Sequence, residues 1–255
     1  MESAERIQHI TAWIKDYAEK AKIDSLVVGI SGGIDSSVVS TLCALTGIKT
    51  HVVSMPIRQI PKLHDLSMRQ GNWLTDKFSN VEQHVIDLTP TYNAFEKIWE
   101  TDANLLALAN SKARLRMTTL YQLAQTNNGI VVGTGNKVED FGIGFFTKYG
   151  DGGVDISPIG DCLKTEVWNM GRELEIIEDI INAEPTDGLW EDGRTDEDQI
   201  GMSYEDLERA MKAFNRRGAV DCSTEHAFNC LRKFEKIREK TLHKMVPIPV
   251  CKLGE

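Results

Sequence analysis

Ile7, Ile10, Trp13, Ile14, Tyr17, Ala18 and Ala21 recur at the three-and-four spacing of one helix face, so the chain opens with an amphipathic helix. The period then changes. Short runs rich in β-branched residues at 26–30, 50–55, 81–86 and 129–133 read as strands, and helical patterns at 36–45, 63–74 and 104–125 separate them. This alternation predicts an α/β fold: a doubly wound parallel sheet of about five strands with helices on both faces, the fifth strand coming from 155–159, and ligands at the C-terminal strand ends. Beyond residue 163 the pattern is mostly helical, at 165–174, 204–215 and 224–242. The expected organisation is one domain over 1–255, with a nucleotide-binding α/β core at 24–160 and a mostly helical C-terminal part at 161–255.

One stretch has no sustained period. Residues 187–201 carry Asp187, Glu191, Asp192, Asp196, Glu197 and Asp198, three glycines and Trp190. From composition it reads as a solvated loop, and from its length inside a compact domain as a mobile lid.

Composition narrows the class. A chain of 255 residues that is 41% hydrophobic buries a full core. No apolar run approaches the roughly 18 to 20 residues of a membrane span, and Glu2 and Glu5 stand where a signal peptide would be basic. Five cysteines without a Cys-x-x-Cys suit free thiols in a reducing compartment, so a cytoplasmic protein is expected. The net charge of −9 argues against a nucleic-acid partner. Cys222, His226 and Cys230 are four apart on a predicted helix, but a structural zinc site needs a fourth ligand, usually from another element. Gly133, Gly135, Gly142 and Gly144 do not complete Gly-x-Gly-x-x-Gly, which sets aside a hydride-transferring dinucleotide fold.

The candidate chemistry starts at Ser31-Gly32-Gly33-Ile34-Asp35-Ser36-Ser37, between the first strand and its following helix. Adjacent glycines let the backbone approach an anion, helix N-terminal amides point at it, and three serine hydroxyls add neutral donors. Asp35 beside phosphate is repulsive unless a divalent cation intervenes, so the loop predicts nucleotide and Mg²⁺ together. It lacks the lysine of the common P-loop. It resembles the SGGxDS pyrophosphate loop of the ATP pyrophosphatase superfamily, whose members split ATP between the α and β phosphates and adenylate a substrate.

Four further blocks extend the resemblance: Gly133-Thr134-Gly135-Asn136-Lys137-Val138-Glu139; Phe145-Phe146-Thr147-Lys148-Tyr149-Gly150-Asp151-Gly152-Gly153-Val154-Asp155; Glu184-Pro185-Thr186; and His243-Lys244. Together they resemble the ammonia-dependent NAD synthetases over residues 24–247, with Val138 departing from the small polar residue common there. The resemblance implies a ligase in which the carboxylate of deamido-NAD attacks ATP, pyrophosphate leaves, and ammonia displaces AMP to give NAD, the last step of NAD biosynthesis. By the same resemblance Gly29, Ile30, Ser31, Gly32, Gly33, Ile34, Asp35, Ser36, Thr134, Lys164 and Thr186 bind ATP, the co-substrate. Asp35 and Glu139 hold Mg²⁺, and Arg114, Lys148, Asp155, His243 and Lys244 hold deamido-NAD. Asp35, Lys164 and Asp151 are the catalytic candidates; Asp151 either takes the proton of ammonium or only bends the glycine-rich turn. The family implies a homodimer, with the helix at 104–125 supplying Leu105, Leu108, Leu115, Met117 and Leu120 to the contact. Residues 1–23 read as a helix with its flanks, so ammonium and not glutamine is the expected nitrogen source. Alternatives in other classes are a tRNA-modifying adenylating ligase, for which a basic patch is missing, and a non-catalytic nucleotide-binding module, which needs no pair such as Asp35 and Glu139.

Overall fold

A computed structural model of the chain describes residues 1–99, 104–190, 193–216 and 224–253. The first helix, α1 (Ser3–Ala21), buries Ile7, Ile10, Ile14 and Ala18, the stripe its periodicity predicts. The chain then alternates: β1 (Ser25–Gly29), α2 (Ile34–Leu45), β2 (Lys49–Ser54), α3 (Pro61–Lys77), β3 (Val81–Val85), α4 (Thr89–Glu96), α5 (Leu105–Thr126) and β4 (Gly129–Val131). The strands pair parallel in the order β3-β2-β1-β4. After β3 the chain returns to the other side of β1, so the order reverses there, and the crevice beyond the strand ends is where such sheets bind ligands.

Alternation along the central strand divides the core. Leu26 and Val28 pack with α1 and α2, and Val27, Val53 and Val131 pack under α4 and α5 through Tyr92, Met117, Leu120 and Ala124. Val52 and Leu74 extend the first face beneath α3. Helices therefore cover both faces, as expected of a doubly wound sheet.

The sheet has four strands among the described residues, not five. The run at 155–159 makes one parallel bridge, Val132 with Ile156, fixed by Asp155 N donating to Val131 O (3.0 Å) and Gly133 N to Ile156 O (2.8 Å). Pro158 then has no N–H to continue the ladder, and Gly160 N closes a turn onto Ser157 O.

The C-terminal part supplies α6 (Lys164–Glu173), α7 (Glu178–Ile181), α8 (Asp196–Ile200), α9 (Tyr204–Asn215) and α10 (Glu225–Met245). α6 packs its Val167 and Met170 into the α1–α2 side of the core. α9 and α10 enclose Leu207, Met211 and Phe234 against a π-helical turn at Lys137–Ile143. Among the described residues no helix is long and apolar enough to cross a membrane.

The segment 187–201 differs from a loop throughout. Its end is α8, started by a Thr195 capping box and stopped by Gly201 in the left-handed region (φ +71°). Trp190 Nε1 donates to Gln199 Oε1 (2.9 Å), and Gln199 Nε2 donates to Asp187 Oδ2 (3.1 Å). Glu191, Asp192 and Cys222 lie outside the described residues.

Candidate active site

The serine-glycine loop is held by its own hydrogen bonds. Ser36 Oγ donates to Gly33 O (3.0 Å) and accepts from Ser31 N (3.2 Å), and Ser37 Oγ donates to Gly33 O (2.9 Å). Gly32 has φ +87°, and a Cβ there would lie 2.8 Å from Leu63 O and from Ser67 N, so both the turn and the close approach of α3 require glycine. Gly33 is the N-cap of α2 and no side chain caps that turn. The first amides of α2 therefore face the crevice with the positive end of the helix dipole, an arrangement suited to phosphate.

Beside the loop three elements bring charges together. Lys164, first residue of α6 and 1% exposed, donates from Nζ to Asp35 Oδ2 and to Glu139 Oε1 (3.0 Å). Asn136 organises the pair: its Oδ1 accepts from Val138 N and Glu139 N (3.0 and 3.1 Å), capping the π-helical turn, and its Nδ2 donates to Asp35 Oδ1 (3.3 Å). Burial raises the Asp35 carboxyl although Lys164 opposes it. At Glu139 burial also pushes upward, but the Lys164 charge and the Tyr204 hydroxyl outweigh it and hold the carboxyl below its ordinary value. Burial alone would lower Lys164; the two carboxylates keep it above the ordinary lysine value.

Tyr204, at the start of α9, donates from its hydroxyl to Glu139 Oε1 (2.6 Å) and lies 3.3 Å from Asp196 Oδ2. Asp196 is 6% exposed and its Oδ1 has no hydrogen-bond partner. Burial, with Glu139 adding, pushes its carboxyl up to about 7. Asp140 is raised well above the ordinary range by burial and then by Asp151 and Glu139. A side chain at Gly135 would collide with the Asp140 carboxylate, so that glycine keeps the turn closed.

The loop from Gly29 to Ser36, Glu139, Asp140, Lys164 and Asp196 line one cavity of about 730 Å³, and Asn136 and Tyr204 bond to residues of its wall. Every site residue expected from the sequence borders it except Asp155: the loop from Gly29 to Ser36, Thr134, Glu139, Lys164, Thr186, Arg114, Lys148, Asp151, His243 and Lys244 all do. The Asp155 carboxylate is occupied elsewhere, accepting from Val131 N (2.8 Å) and Tyr121 OH (3.0 Å), where it clamps β4.

At the far wall Arg114 Nε donates to Lys148 O (3.2 Å), Lys148 Nζ to His243 O (3.3 Å) and Lys244 Nζ to Phe146 O (2.7 Å). Burial lowers the Lys244 ammonium, with Asp151 and Asp140 opposing. Asp151 Oδ1 accepts from Thr147 N (3.1 Å), so it does close the glycine-rich turn, and burial raises its carboxyl. Thr186 Oγ1 donates to Arg194 O (3.0 Å) and accepts from Gly188 N (3.2 Å), tying the start of the acidic segment to its middle.

Asn136, Asp140, Tyr204, Asp196 and Arg116 complete the site without having been expected from the sequence. Arg116 Nε donates to Met55 O (3.0 Å) beneath the cavity, and burial lowers its guanidinium to about 10. Asn136 had a local signal, since it lies inside the motif that carries Glu139. Away from the cavity His226 and Cys230 stand with Asp206 on α9 and α10, exposed or half-buried.

A family model described as NAD synthase matches residues 6–247. An NH(3)-dependent NAD(+) synthetase from Carboxydothermus hydrogenoformans is 40% identical over 212 residues, 81% of this chain and 84% of its own length. Its namesake from Sulfolobus acidocaldarius is 34% identical over 256 residues, 97% of this chain and 88% of its own. The fold is similar to the solved NMN synthetase from Francisella tularensis, with a TM-score of 0.87 and 30% identity over 99% of this chain and 100% of that one. With the match running across nearly all elements of the fold, the chain belongs to the NAD synthase family.

Proposed function

We propose that the protein is a ligase that amidates deamido-NAD with ammonia at the expense of ATP, through an adenylated carboxylate, releasing NAD, AMP and pyrophosphate. The observation that carries this reading is the gathering of the serine-glycine loop, Lys164, Asp35 and Glu139 at one end of a cavity whose other end bears Arg114, Lys148, His243 and Lys244. A carboxylate is a poor acyl donor at neutral pH, and adenylation gives it a leaving group. The loop amides and the Ser31 and Ser36 hydroxyls receive the phosphates, and Lys164 follows the charge that grows on departing pyrophosphate. The basic wall suits the bridging phosphates of the dinucleotide.

Asp35 and Glu139 fit Mg²⁺. Their oxygens are hard donors from two separate elements, and both are drawn to a single cation, Lys164, in a buried setting that leaves one negative charge uncompensated. When bound there, the ion would neutralise charge on the ATP oxygens. Asp151 orients ammonium and takes its proton, because only the neutral amine attacks. The acidic segment 187–201 acts as a lid, and the active form is a homodimer in the cytoplasm.

The test is amidation in ATP, Mg²⁺ and ammonium, with deamido-NAD and nicotinate mononucleotide compared because one structural neighbour is an NMN synthetase. Expected are NAD and AMP, with deamido-NAD preferred, and a loss of kcat of at least about 100-fold in Lys164→Ala, the size seen when a group serving transition-state charge is removed. ADP as product would overturn the mechanism, and preference for the mononucleotide would overturn the substrate.

A further inference from the structure

The β2–β3 edge of the sheet carries a second cluster of ligating side chains, outside the cavity. His51 on β2 and Glu82 on β3 are register partners, and His84 follows two residues along β3 beside Val53. Residues two apart on a strand share a face, so all three project from the same side of the sheet, and none of them borders the cavity. His51 Nδ1 lies 2.9 Å from His84 Nε2. The Glu82 carboxylate oxygens lie 3.9 Å from His51 Nδ1 and 3.6 Å from His84 Nε2. Donors bound about 2.1 Å from a tetrahedral ion are roughly 3.4 Å from one another, and one donor atom from each of the three residues lies within 4.8 Å of the others.

His51 is 3% exposed, and its Nε2 has no hydrogen-bond partner. A buried imidazole whose one polar contact is a hydrogen bond shared with a second ring is poorly compensated for lost hydration. An ion bound at Nδ1 would replace the hydrogen bond between the two rings by a metal–nitrogen bond to each, and would leave Nε2 as it stands. Glu82, half-exposed, is neutralised by Lys49 Nζ at 2.7 Å, a contact that a metal ion could replace without exposing any buried charge.

We propose that His51, Glu82 and His84 bind one divalent transition-metal ion of the zinc class, with a remaining position open to water. Two imidazoles and a carboxylate suit a borderline ion, whereas Mg²⁺ prefers oxygen ligands in octahedral geometry. The ion pins edge strand β3 to β2 and stabilises the folded chain by mass action, and it is separate from the ion proposed for Asp35 and Glu139.

The experiment is calorimetric titration of chelator-treated protein with Zn²⁺ in saturating Mg²⁺, alongside the visible spectrum with Co²⁺. Expected is one equivalent of Zn²⁺ bound, a tetrahedral Co²⁺ spectrum, and a loss of affinity of at least about 10-fold in His84→Asn, the smallest effect usual when even an outer partner is removed. Glu82→Gln, on a half-exposed side chain, serves as the second variant should His84→Asn fail to fold. His226→Asn controls for the Asp206–His226–Cys230 group and should bind as wild type. No Zn²⁺ bound by the wild type, unchanged affinity in His84→Asn or, where that variant fails to fold, in Glu82→Gln, or loss in His226→Asn instead would each overturn the proposal.

Discussion

Asp196 offers one proton whose effect on stability has a definite sign. Burial moves its carboxyl from 3.8 up to about 7. Between those values the native state keeps a proton that the unfolded chain has lost, so stability falls as pH rises through the window and levels off above it. About three pKa units correspond to roughly 4 kcal/mol at most. Asp196→Asn keeps the shape and removes the charge, so the stability of the variant relative to wild type should rise from pH 4 to about 7.5 and then stay constant. Thermal unfolding of both proteins across that range, in metal-free buffer, reads the difference; a gap that does not move with pH would sink the assignment. The sequence could not point to this residue. Asp35, Glu139 and Lys164 stand in local motifs, but Tyr204 reaches Glu139 across 65 residues, and Asp196 is one of many carboxylates in an acidic stretch until α8 turns it inward. Asp155 shows the reverse: a motif position whose carboxylate the fold spends on the β4 backbone.

At the scale of elements, the segment 187–201 is tied at several points without a core of its own. Thr186 bonds to Arg194 O, Trp190 bonds to Gln199, and the Arg194 guanidinium lies 4.3 Å from the centre of the Trp190 ring. These contacts join exposed or partly buried residues, the kind of structure that opens at little free-energy cost. Since Thr186, Asp187, Trp190 and Asp196 also border the cavity, substrate there should favour the closed arrangement. Trypsin cleavage after Arg194, followed by mass spectrometry, should slow by about 10-fold or more with ATP and deamido-NAD present, as expected when ligand shifts a local equilibrium by roughly 1.4 kcal/mol. Equal cleavage with and without substrates would make the segment an ordinary surface loop. The strong periods were legible from sequence: the four strands and the helices at α1, α2, α3, α5, α6, α9 and α10. α4 was not, because it is eight residues long and buries only Tyr92, so it shows no apolar stripe. The fifth strand failed for a related reason: a β-like run ended by Pro158 can add one bridge and no ladder.

For the whole molecule, the apolar side chains that remain exposed bear on assembly. Met117 and Leu120, expected at a subunit contact, are buried against the sheet of their own chain. Along 95–106, in contrast, Ile98 is 73%, Trp99 54%, Leu105 72% and Leu106 57% exposed. Large apolar groups concentrated in one stretch mark interaction surfaces more often than solvent-facing decoration, and Arg114 follows on the same helix, α5, at the cavity wall. A twofold contact through this stretch would use the same patch on both copies, so each substitution counts twice. Light scattering should therefore give a dimer at micromolar concentration. The double variant Ile98→Glu, Leu105→Glu should shift it to monomer while leaving the far-ultraviolet circular dichroism unchanged, since neither side chain contributes to the core. If the partner copy steadies the dinucleotide end of the cavity, KM for deamido-NAD should rise by about 10-fold or more with KM for ATP much less affected, a split that general unfolding would not produce. A wild-type monomer with full activity would remove the dimer and its role together.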